Sequence, residues 1–388
     1  MTGFLDGIKV IEFCSVAAGP FCGMLLADMG ADVIKVEHPA AGDSMRAWPP
    51  ITSGYSENFA SLNRNKRSVA LDLKDPGGQA AARELIAGAD VVVENNRPGV
   101  MARLGLDHDT VREGNPGLVY CSISAFGQSG PRAAEGGFDL TLQAMSGIMS
   151  VTGEPGGDPV KCGVPIADFT TGLYAAFAVA AALRDRTRTG QGGHIDASMF
   201  GCSLAVAALQ TSQFFGSGAD PVKLGSAHPR NAPYQAFRTA DGHLALAAGN
   251  NSLFAATCAA VDRPELVHDA RFATTELRSR HQDALREILE EAFADRTVDE
   301  LLTTFRAAKV PCAPINTYSQ ALADPQVEHM GWVRPLTLPS GDTTETFGPP
   351  LWIDGRPHGP LRPPPALGEH TDEVLGAMAV PATGRRAS

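Results

Sequence analysis

Residues 8–37 have the sequence IKVIEFCSVAAGPFCGMLLADMGADVIKVE, and this stretch decides the fold class. IKVIEFC, residues 8–14, has the apolar, β-branched composition of a buried strand. A turn at Gly19-Pro20 leads into a predicted helix over about 21–29, and Gly30 stands where a helix C-cap belongs. ADVIKVE, residues 31–37, is the next strand. A strand–helix–strand unit of about thirty residues predicts two parallel strands joined by a crossover helix.

The same alternation continues along the first half of the chain. Further strands are predicted at 69–73, 89–95, 118–126 and 192–199, with helices over about 78–86 and 169–183. Repeated alternation of this kind is typical of a doubly wound α/β domain. Residues 225–315 differ, because a hairpin pattern around Asp241-Gly242 is followed by three helical segments. We expect a second, smaller α+β unit there, and a proline-rich, extended tail from about residue 335.

Composition and charge narrow the function classes. The chain has 388 residues, of which 44% are apolar, and a formal net charge of −11. An acidic chain of this kind is not typical of nucleic-acid binders. The N-terminus lacks the basic region and apolar run of a signal peptide, and the apolar stretch 169–183 is shorter than a membrane span. The seven cysteines form no CxxC pair, so we expect free thiols, no metal site and a cytoplasmic protein.

Polar residues cluster near the predicted strand ends in three sets. They are Asn63 to Ser68, Glu94 to Gly99, and Lys35 to Glu37 with Asp43 and Arg46. In a doubly wound sheet the carboxyl ends of the strands line one crevice, where ligands bind. Each set alone is equally well read as a solvated loop. The small residues of the first loop, 15–20, would let backbone approach a ligand, or form only a tight turn.

Asp168 is the most informative acidic residue. It directly precedes the predicted apolar helix, so its plain interpretation is an N-cap that accepts a backbone N–H bond. A carboxylate at a helix N-terminus is also held ionised and oriented by the helix dipole. Such a group can act as a nucleophile toward an activated acyl group, with nearby N–H donors stabilising an oxyanion. The residues alone leave both interpretations open.

Several strings of the sequence resemble one enzyme family. They include AGPFCGMLLADMGADVIKVEHP, NRNKRSVALDLK, VVVENNRPG, YCSISAFGQSGP and IADFTTGLYAA. In this order they resemble the class III CoA-transferases of the CaiB/BaiF type, which include formyl-CoA transferase and the 2-methylacyl-CoA racemases. The likeness is dense over residues 4–200 and weaker to about 333.

The resemblance implies an architecture. It implies a Rossmann-like large domain over residues 1–200, completed by about 325–388, and a small α+β domain over 225–315. Residues 201–224 and 316–335 would be linkers. Two chains would interlock as an intertwined homodimer. The implied partners are acyl-CoA and carboxylic acids, with coenzyme A as part of the substrate, no permanently bound cofactor, no nucleic acid and no membrane.

The resemblance also implies roles for individual residues. Asp168 matches the nucleophile that forms an anhydride with the acyl group and then an aspartyl-CoA thioester. The positions that match CoA contacts are Val16, Ala17, Ala18, His38, Asn96, Arg97, Met101 and Arg103. Arg64, Lys66 and Arg67 are expected partners of the CoA phosphates. The substrate pocket would include Trp48, Phe138, Asp139 and Gly249, and no metal.

Two alternatives to a CoA-transferase remain at this point. A 2-methylacyl-CoA racemase would exchange an α-proton through an acid–base pair, but Phe138 stands where that family branch has a histidine, and phenylalanine moves no proton. A non-catalytic CoA-binding protein is the second alternative. The formyl-CoA transferase branch has polar residues at the positions of Ala17 and Phe138, so these two predict a less polar acyl pocket.

Overall fold

A computed structural model describes residues 3–359 and 362–378 of the chain. The strands are β1 Lys9–Phe13, β2 Asp32–Glu37, β3 Ile51–Thr52, β4 Tyr55–Ser56, β5 Arg67–Ala70, β6 Val91–Glu94, β7 Val119–Ser124, β8 Gly193–Ser198, β9 Tyr234–Arg238, β10 His243–Ala247, β11 Cys312–Pro314, β12 Val333–Thr337, β13 Thr343–Phe347, β14 Trp352–Ile353 and β15 Arg356–Pro357.

The helices connect these strands. They are α1 Ala18–Asp28, α2 Glu57–Asn63, α3 Pro76–Ala87, α4 Val100–Leu104, α5 His108–Arg112, α6 Asp139–Met145, α7 Ile148–Val151, α8 Ile166–Thr189, α9 Met199–Val206, α10 Ala208–Ser217, α11 Asn251–Ala260, α12 Thr275–Arg280, α13 Gln282–Phe293, α14 Val298–Ala307, α15 Tyr318–Leu322, α16 Pro325–Met330 and α17 Thr371–Met378, with 3-10 turns at Ser44–Ala47 and Pro264–His268.

The first compact unit is built on a six-stranded parallel sheet. Its described residues fall within Met1–Ile148, Lys161–Gly218 and Pro325–Ser388. The strand order is β5-β2-β1-β6-β7-β8, and every pairing is parallel. Helices α1 and α8 pack on one face of the sheet and α3 and α17 on the other. The α/β class and the parallel sheet predicted from the sequence are therefore confirmed.

The order of the strands places a crevice between β1 and β6. The chain runs from β1 outward through β2 to β5, then returns to the other side of β1 and continues through β6 and β7 to β8. Connections that leave two adjacent strands in opposite directions open a gap at their carboxyl ends, and ligands of doubly wound proteins bind there. The loops 15–18 and 95–98 follow those two strand ends.

Helix α8 is longer than the sequence indicated. It spans 24 residues, because its polar last turn, with Arg186 and Arg188, continues the helix to Gly190. Basic residues are favourable at a helix C-terminus. Among the described residues it is the one helix long and apolar enough to cross a membrane, a property that core helices of soluble proteins share. Gly172 allows α8 to pack closely on α1, since a Cβ there would lie 2.8 Å from the carbonyl oxygen of Ala18.

The second compact unit comprises Met149–Val160 and Ala219–Asp324. Strands β9, β10 and β11 form an antiparallel sheet in the order β11-β10-β9, and helices α11, α13 and α14 cover it around a phenylalanine-rich core. Two boundaries differ from the predicted layout. Residues 149–160 belong to this unit instead of the large domain, and α9 and α10 occupy most of the predicted linker 201–224. A hairpin of β12 and β13 also replaces part of the extended tail.

Candidate active site

A cavity of about 210 Å³ lies at the carboxyl ends of β1, β6 and β7. Its walls are formed by residues 15–18, 95–98, 123–125 and 135–138 together with Asp168 and Met199. The structure thus brings together seven of the predicted site residues, namely Val16, Ala17, Ala18, Asn96, Arg97, Phe138 and Asp168. The cavity is the crevice that the strand order opens between β1 and β6.

Asp168 lies in the first turn of α8. It is the third residue of the helix, and the N-cap residue is Pro165, whose side chain makes no capping hydrogen bond. The interpretation of Asp168 as an N-cap was therefore wrong. Burial of the half-buried carboxyl, followed by repulsion from Asp139, raises the pKa of Asp168 from 3.8 to about 7. Burial and the neighbouring Asp139 thus oppose the ionised form that the position at a helix N-terminus favours.

Asp139 supports the beginning of α8. Its Oδ1 accepts the N–H of Ala167 at 3.0 Å, and its Oδ2 accepts Nε2 of Gln143 at 2.7 Å. Gln143 in turn accepts the N–H of Cys162 through Oε1 at 2.8 Å. Both oxygens of Asp139 thus accept bonds that orient the segment before Asp168. Gln143 was missed by the sequence analysis, since a glutamine inside a short helix carries no distinctive pattern.

Asn95 and Asp43 hold the loop after β1. Asn95 binds both backbone groups of Ser15, accepting its N–H at 2.9 Å and donating to its carbonyl at 2.8 Å. Asp43 accepts the N–H of Val16 with both carboxylate oxygens, at 3.1 and 3.2 Å. Both residues belong to the polar sets noted in the sequence, but their attachment to this loop could be seen only in three dimensions.

The remaining predicted CoA contacts, Met101, Arg103 and His38, do not line the cavity. Asn96 donates to the sulfur of the buried Met101 at 3.5 Å, so Met101 supports the cavity wall. Arg103 lies in α4, in the turn after Asn96 and Arg97. His38 follows β2 and is exposed, and its Nδ1 accepts the N–H of Ala40. Arg97 is the one cation among the described residues that line the cavity.

Three predicted phosphate partners have other roles in the structure. Arg64 pairs with Asp28 at 2.6 Å, and Lys66 pairs with Glu12 at 2.8 Å with both side chains fully buried. Arg67 pairs with Asp32 at 2.5 Å and with Glu373. Because these cations are neutralised inside the protein or at its sheet edge, the geometry does not support their predicted contact with CoA phosphates.

Two predicted pocket residues lie outside the cavity. Trp48 follows the 3-10 turn Ser44–Ala47 and is partly exposed. Gly249 belongs to the second unit, where its carbonyl accepts Nη2 of the buried Arg278 at 3.0 Å. Among the described residues, no group of three or more His, Cys, Asp or Glu side chains is placed to hold a metal ion.

Comparisons with known proteins identify the family. The profile of CoA-transferase family III matches residues 5–371. The succinate–glutarate CoA-transferase of Agrobacterium fabrum is 42% identical over 381 residues, covering 96% of this chain and 95% of that protein. The human succinyl-CoA:glutarate CoA-transferase is 39% identical over 372 residues, covering 96% of this chain and 85% of that protein.

A solved structure agrees with these sequence matches. The crystal structure of a CaiB/BaiF family protein from Brucella suis has a TM-score of 0.86 and 38% identity, covering 97% of this chain and all of that one. The chain belongs to CoA-transferase family III, and the predicted resemblance is confirmed. It is an enzyme of that class, which transfers CoA from an acyl-CoA to a carboxylic acid.

Proposed function

We propose that this enzyme exchanges CoA between short dicarboxylic acids, with Asp168 as the covalent nucleophile. The observation that carries the proposal is that Asp168, in the N-terminal turn of α8, lines the cavity. The relatives named for succinate and glutarate support the choice of dicarboxylates. A carboxylate with a raised pKa is a stronger nucleophile than an ordinary one, once it is ionised.

The reaction would proceed through two acyl exchanges. A carboxylate oxygen of Asp168 attacks the thioester carbonyl carbon, the C–S bond breaks, and CoA leaves as a thiolate with its electron pair. The thiolate then attacks the Asp168 carbonyl carbon of the anhydride, which releases the first acid as a carboxylate and leaves an aspartyl-CoA thioester. The acceptor carboxylate repeats both steps in reverse and restores the ionised aspartate.

The ends of α1 and α8 supply the polar environment for these anions. The N-cap residues Ala17 and Pro165 make no side-chain capping bonds, and Ala17 and Ala18 at the start of α1 line the cavity. In α8, Asp139 accepts one N–H of the first turn, that of Ala167. Free N–H groups at helix N-termini favour nearby negative charge. We assign Arg97 to an anionic group of the acyl-CoA, because it is the one cation among the described residues that line the cavity.

Trapping and substitution test the proposal together. The enzyme is incubated with succinyl-CoA and glutarate, CoA esters are separated chromatographically, and hydroxylamine is added before peptide mass spectrometry. We expect glutaryl-CoA to form and Asp168 to carry the hydroxamate. Asp168→Asn should abolish transfer, whereas Asp185→Asn, an exposed aspartate of the same helix, should keep it. Transfer by Asp168→Asn, or preference for monocarboxylic acceptors, would contradict the proposal.

We also propose the homodimer that the family resemblance implies. Helices α8 and α10 expose large apolar side chains, with Phe177 73% and Phe215 82% accessible and Leu173 and Leu209 more than half so. Apolar patches of this kind mark protein–protein contacts in soluble proteins. We expect light scattering to give twice the chain mass, and Phe177→Asp to reduce it. A monomeric wild-type protein would refute the dimer.

A cytoplasmic location is part of the same proposal. All seven cysteines are free thiols in the structure, four of them buried. Free thiols are typical of proteins in a reducing compartment. Cell fractionation with an antibody against the untagged protein is the measurement, and recovery in a membrane or secreted fraction would contradict the location.

A further inference from the structure

The cavity loop has a backbone conformation that its sequence disfavours. Val16 has a φ of 69°, in the left-handed region, although it is β-branched. Such residues are rare there, because the side chain crowds the following carbonyl group. A strained conformation persists only where the surroundings hold it, and such positions are concentrated at functional sites. Val16 lines the cavity that contains Asp168.

Asp43 is hydrogen-bonded to the backbone of Val16. Its carboxylate accepts the Val16 N–H with both oxygens and also accepts the N–H of Met45 at 3.0 Å. Its Oδ2 lies 3.0 Å from Nζ of Lys35. Attraction by Lys35 and the bonds from Met45 and Val16 lower the pKa of Asp43 although burial opposes them, so the acceptor stays ionised.

Asp43 is one end of a row of four buried charges. Lys35 continues the row to Glu12 at 2.9 Å, and Glu12 continues it to Lys66 at 2.8 Å. All four side chains have 0% exposure. Gly23 of α1 leaves room for the row, since a Cβ there would lie 1.9 Å from Oε2 of Glu12.

The row is attached to the loop at three points. Besides the bond from Val16 to Asp43, Lys35 donates to the carbonyl of Cys14 at 2.7 Å, and Lys66 donates to the carbonyl of Pro20 at 2.8 Å. These contacts bracket the whole connection from the end of β1 to the first turn of α1. Burial lowers the pKa of Lys35, but Glu12 and Asp43 outweigh it and keep this lysine charged.

We propose that Asp43 is a positioning residue for CoA transfer, which holds Val16 in its left-handed conformation and so sets the wall of the acyl-CoA cavity, with Lys35, Glu12 and Lys66 anchoring it. The inference deepens the proposed function and rests on it. Loss of Asp43 allows the loop to relax to an ordinary conformation, so that only a minor fraction of free enzyme is competent to bind acyl-CoA. The apparent affinity for acyl-CoA is the intrinsic affinity multiplied by that minor fraction.

The magnitude follows from the cost of the left-handed conformation. For a non-glycine residue, that cost makes the ordinary conformation about 5 to 30 times more populated than the left-handed one. Asp43→Ala should therefore raise KM for acyl-CoA about 5- to 30-fold and leave kcat largely intact, because saturating substrate restores the competent loop. A merely damaged fold would instead lower the amount of active enzyme and hence kcat.

A second substitution separates positioning from general stabilisation. Glycine adopts positive φ without the steric cost, so Val16→Gly combined with Asp43→Ala should lower KM about fivefold or more from the Asp43→Ala value. Lys309→Gly is the matched control, because Lys309 also has a positive φ, 56°, but belongs to the second unit and does not line the cavity. Rescue by Lys309→Gly, absence of rescue by Val16→Gly, or an unchanged KM in Asp43→Ala would overturn the proposal.

Two further measurements complete the test, and the second of them, hydrogen exchange, needs no substrate. Asp43→Asn retains one acceptor oxygen and should show a smaller rise in KM, which covers the case that Asp43→Ala fails to fold. Hydrogen exchange of the 14–20 segment should increase in Asp43→Asn while that of β7 stays unchanged, and equal exchange would overturn the proposal. A wild-type enzyme with no transfer activity on any acid would refute the proposed function, whereas the exchange result would still decide the role of Asp43.

Discussion

In the proposed mechanism, the pH dependence of the first acyl transfer is set by the ionisation of one carboxyl group, that of Asp168. Asp168 has a pKa of about 7 in the folded protein, raised by burial and then by Asp139. Only the ionised form attacks the thioester, so the ionised fraction would be about 9% at pH 6 and about 91% at pH 8. The rate of acyl transfer to the enzyme should therefore rise about tenfold over this range. An aspartate with an ordinary pKa would give no change there.

Single-turnover kinetics measure this step directly. The enzyme in excess is mixed with succinyl-CoA, and free thiol is followed against pH. Asp139→Asn removes the neighbouring charge, so its midpoint should move to lower pH. Asp185→Asn, at the other end of α8, should leave the midpoint unchanged. A rate that stays flat between about pH 5.5 and 8.5 would refute the argument that burial controls this nucleophile.

Three other predictions concern neighbouring features. Because the pKa of Asp168 is higher in the folded than in the unfolded chain, the folded state loses stability as pH rises from 3.8 to about 7 and does not regain it. Asp168→Asn should thus raise the free energy of unfolding in urea by at most about 4 kcal/mol above that pH range. The increase should vanish below pH 3.8, and a lower free energy of unfolding at pH 8 would contradict the prediction. Gly172→Ala would place its Cβ 2.8 Å from the Ala18 carbonyl oxygen, so we expect a lower Tm and slower transfer, and an unchanged Tm would show that α1 and α8 can separate. Arg97→Gln should raise KM for acyl-CoA with kcat unchanged, as measured by initial rates; an unchanged KM would remove Arg97 from the binding site.

The fold of the first unit could be predicted because its signals are local. Strands such as IKVIEF and VVVEN are short apolar runs between glycine-containing turns, and the helix between β1 and β2 ends at Asp28, two residues before Gly30. The boundaries were less accurate where tertiary packing decides. Residues 149–160 join the second unit, and 201–217 form helices, although neither segment has a composition that reveals its neighbours.

The candidate site could be predicted in part. Loop residues after β1 and β6 meet in the cavity because parallel strands end at one edge, which the strand order implies. The pairing of the cations 64, 66 and 67 with carboxylates could not be predicted, since a basic cluster looks the same in sequence whether it faces solvent or buried carboxylates. The raised pKa of Asp168 could not be foreseen either, because burial and the approach of Asp139 depend on packing.

The 24-residue helix α8 carries both the candidate nucleophile and part of the exposed apolar surface. Asp168 lies in its first turn, and the exposed Leu173 and Phe177 follow within the next three turns. At 1.5 Å per residue, only about 8 Å of helix axis separates Asp168 from Leu173. In the proposed dimer, the surface that recruits a second subunit and the group that performs chemistry would shift together. A substitution that moves α8 at the proposed dimer interface would then also move Asp168, and so change the rate of CoA transfer.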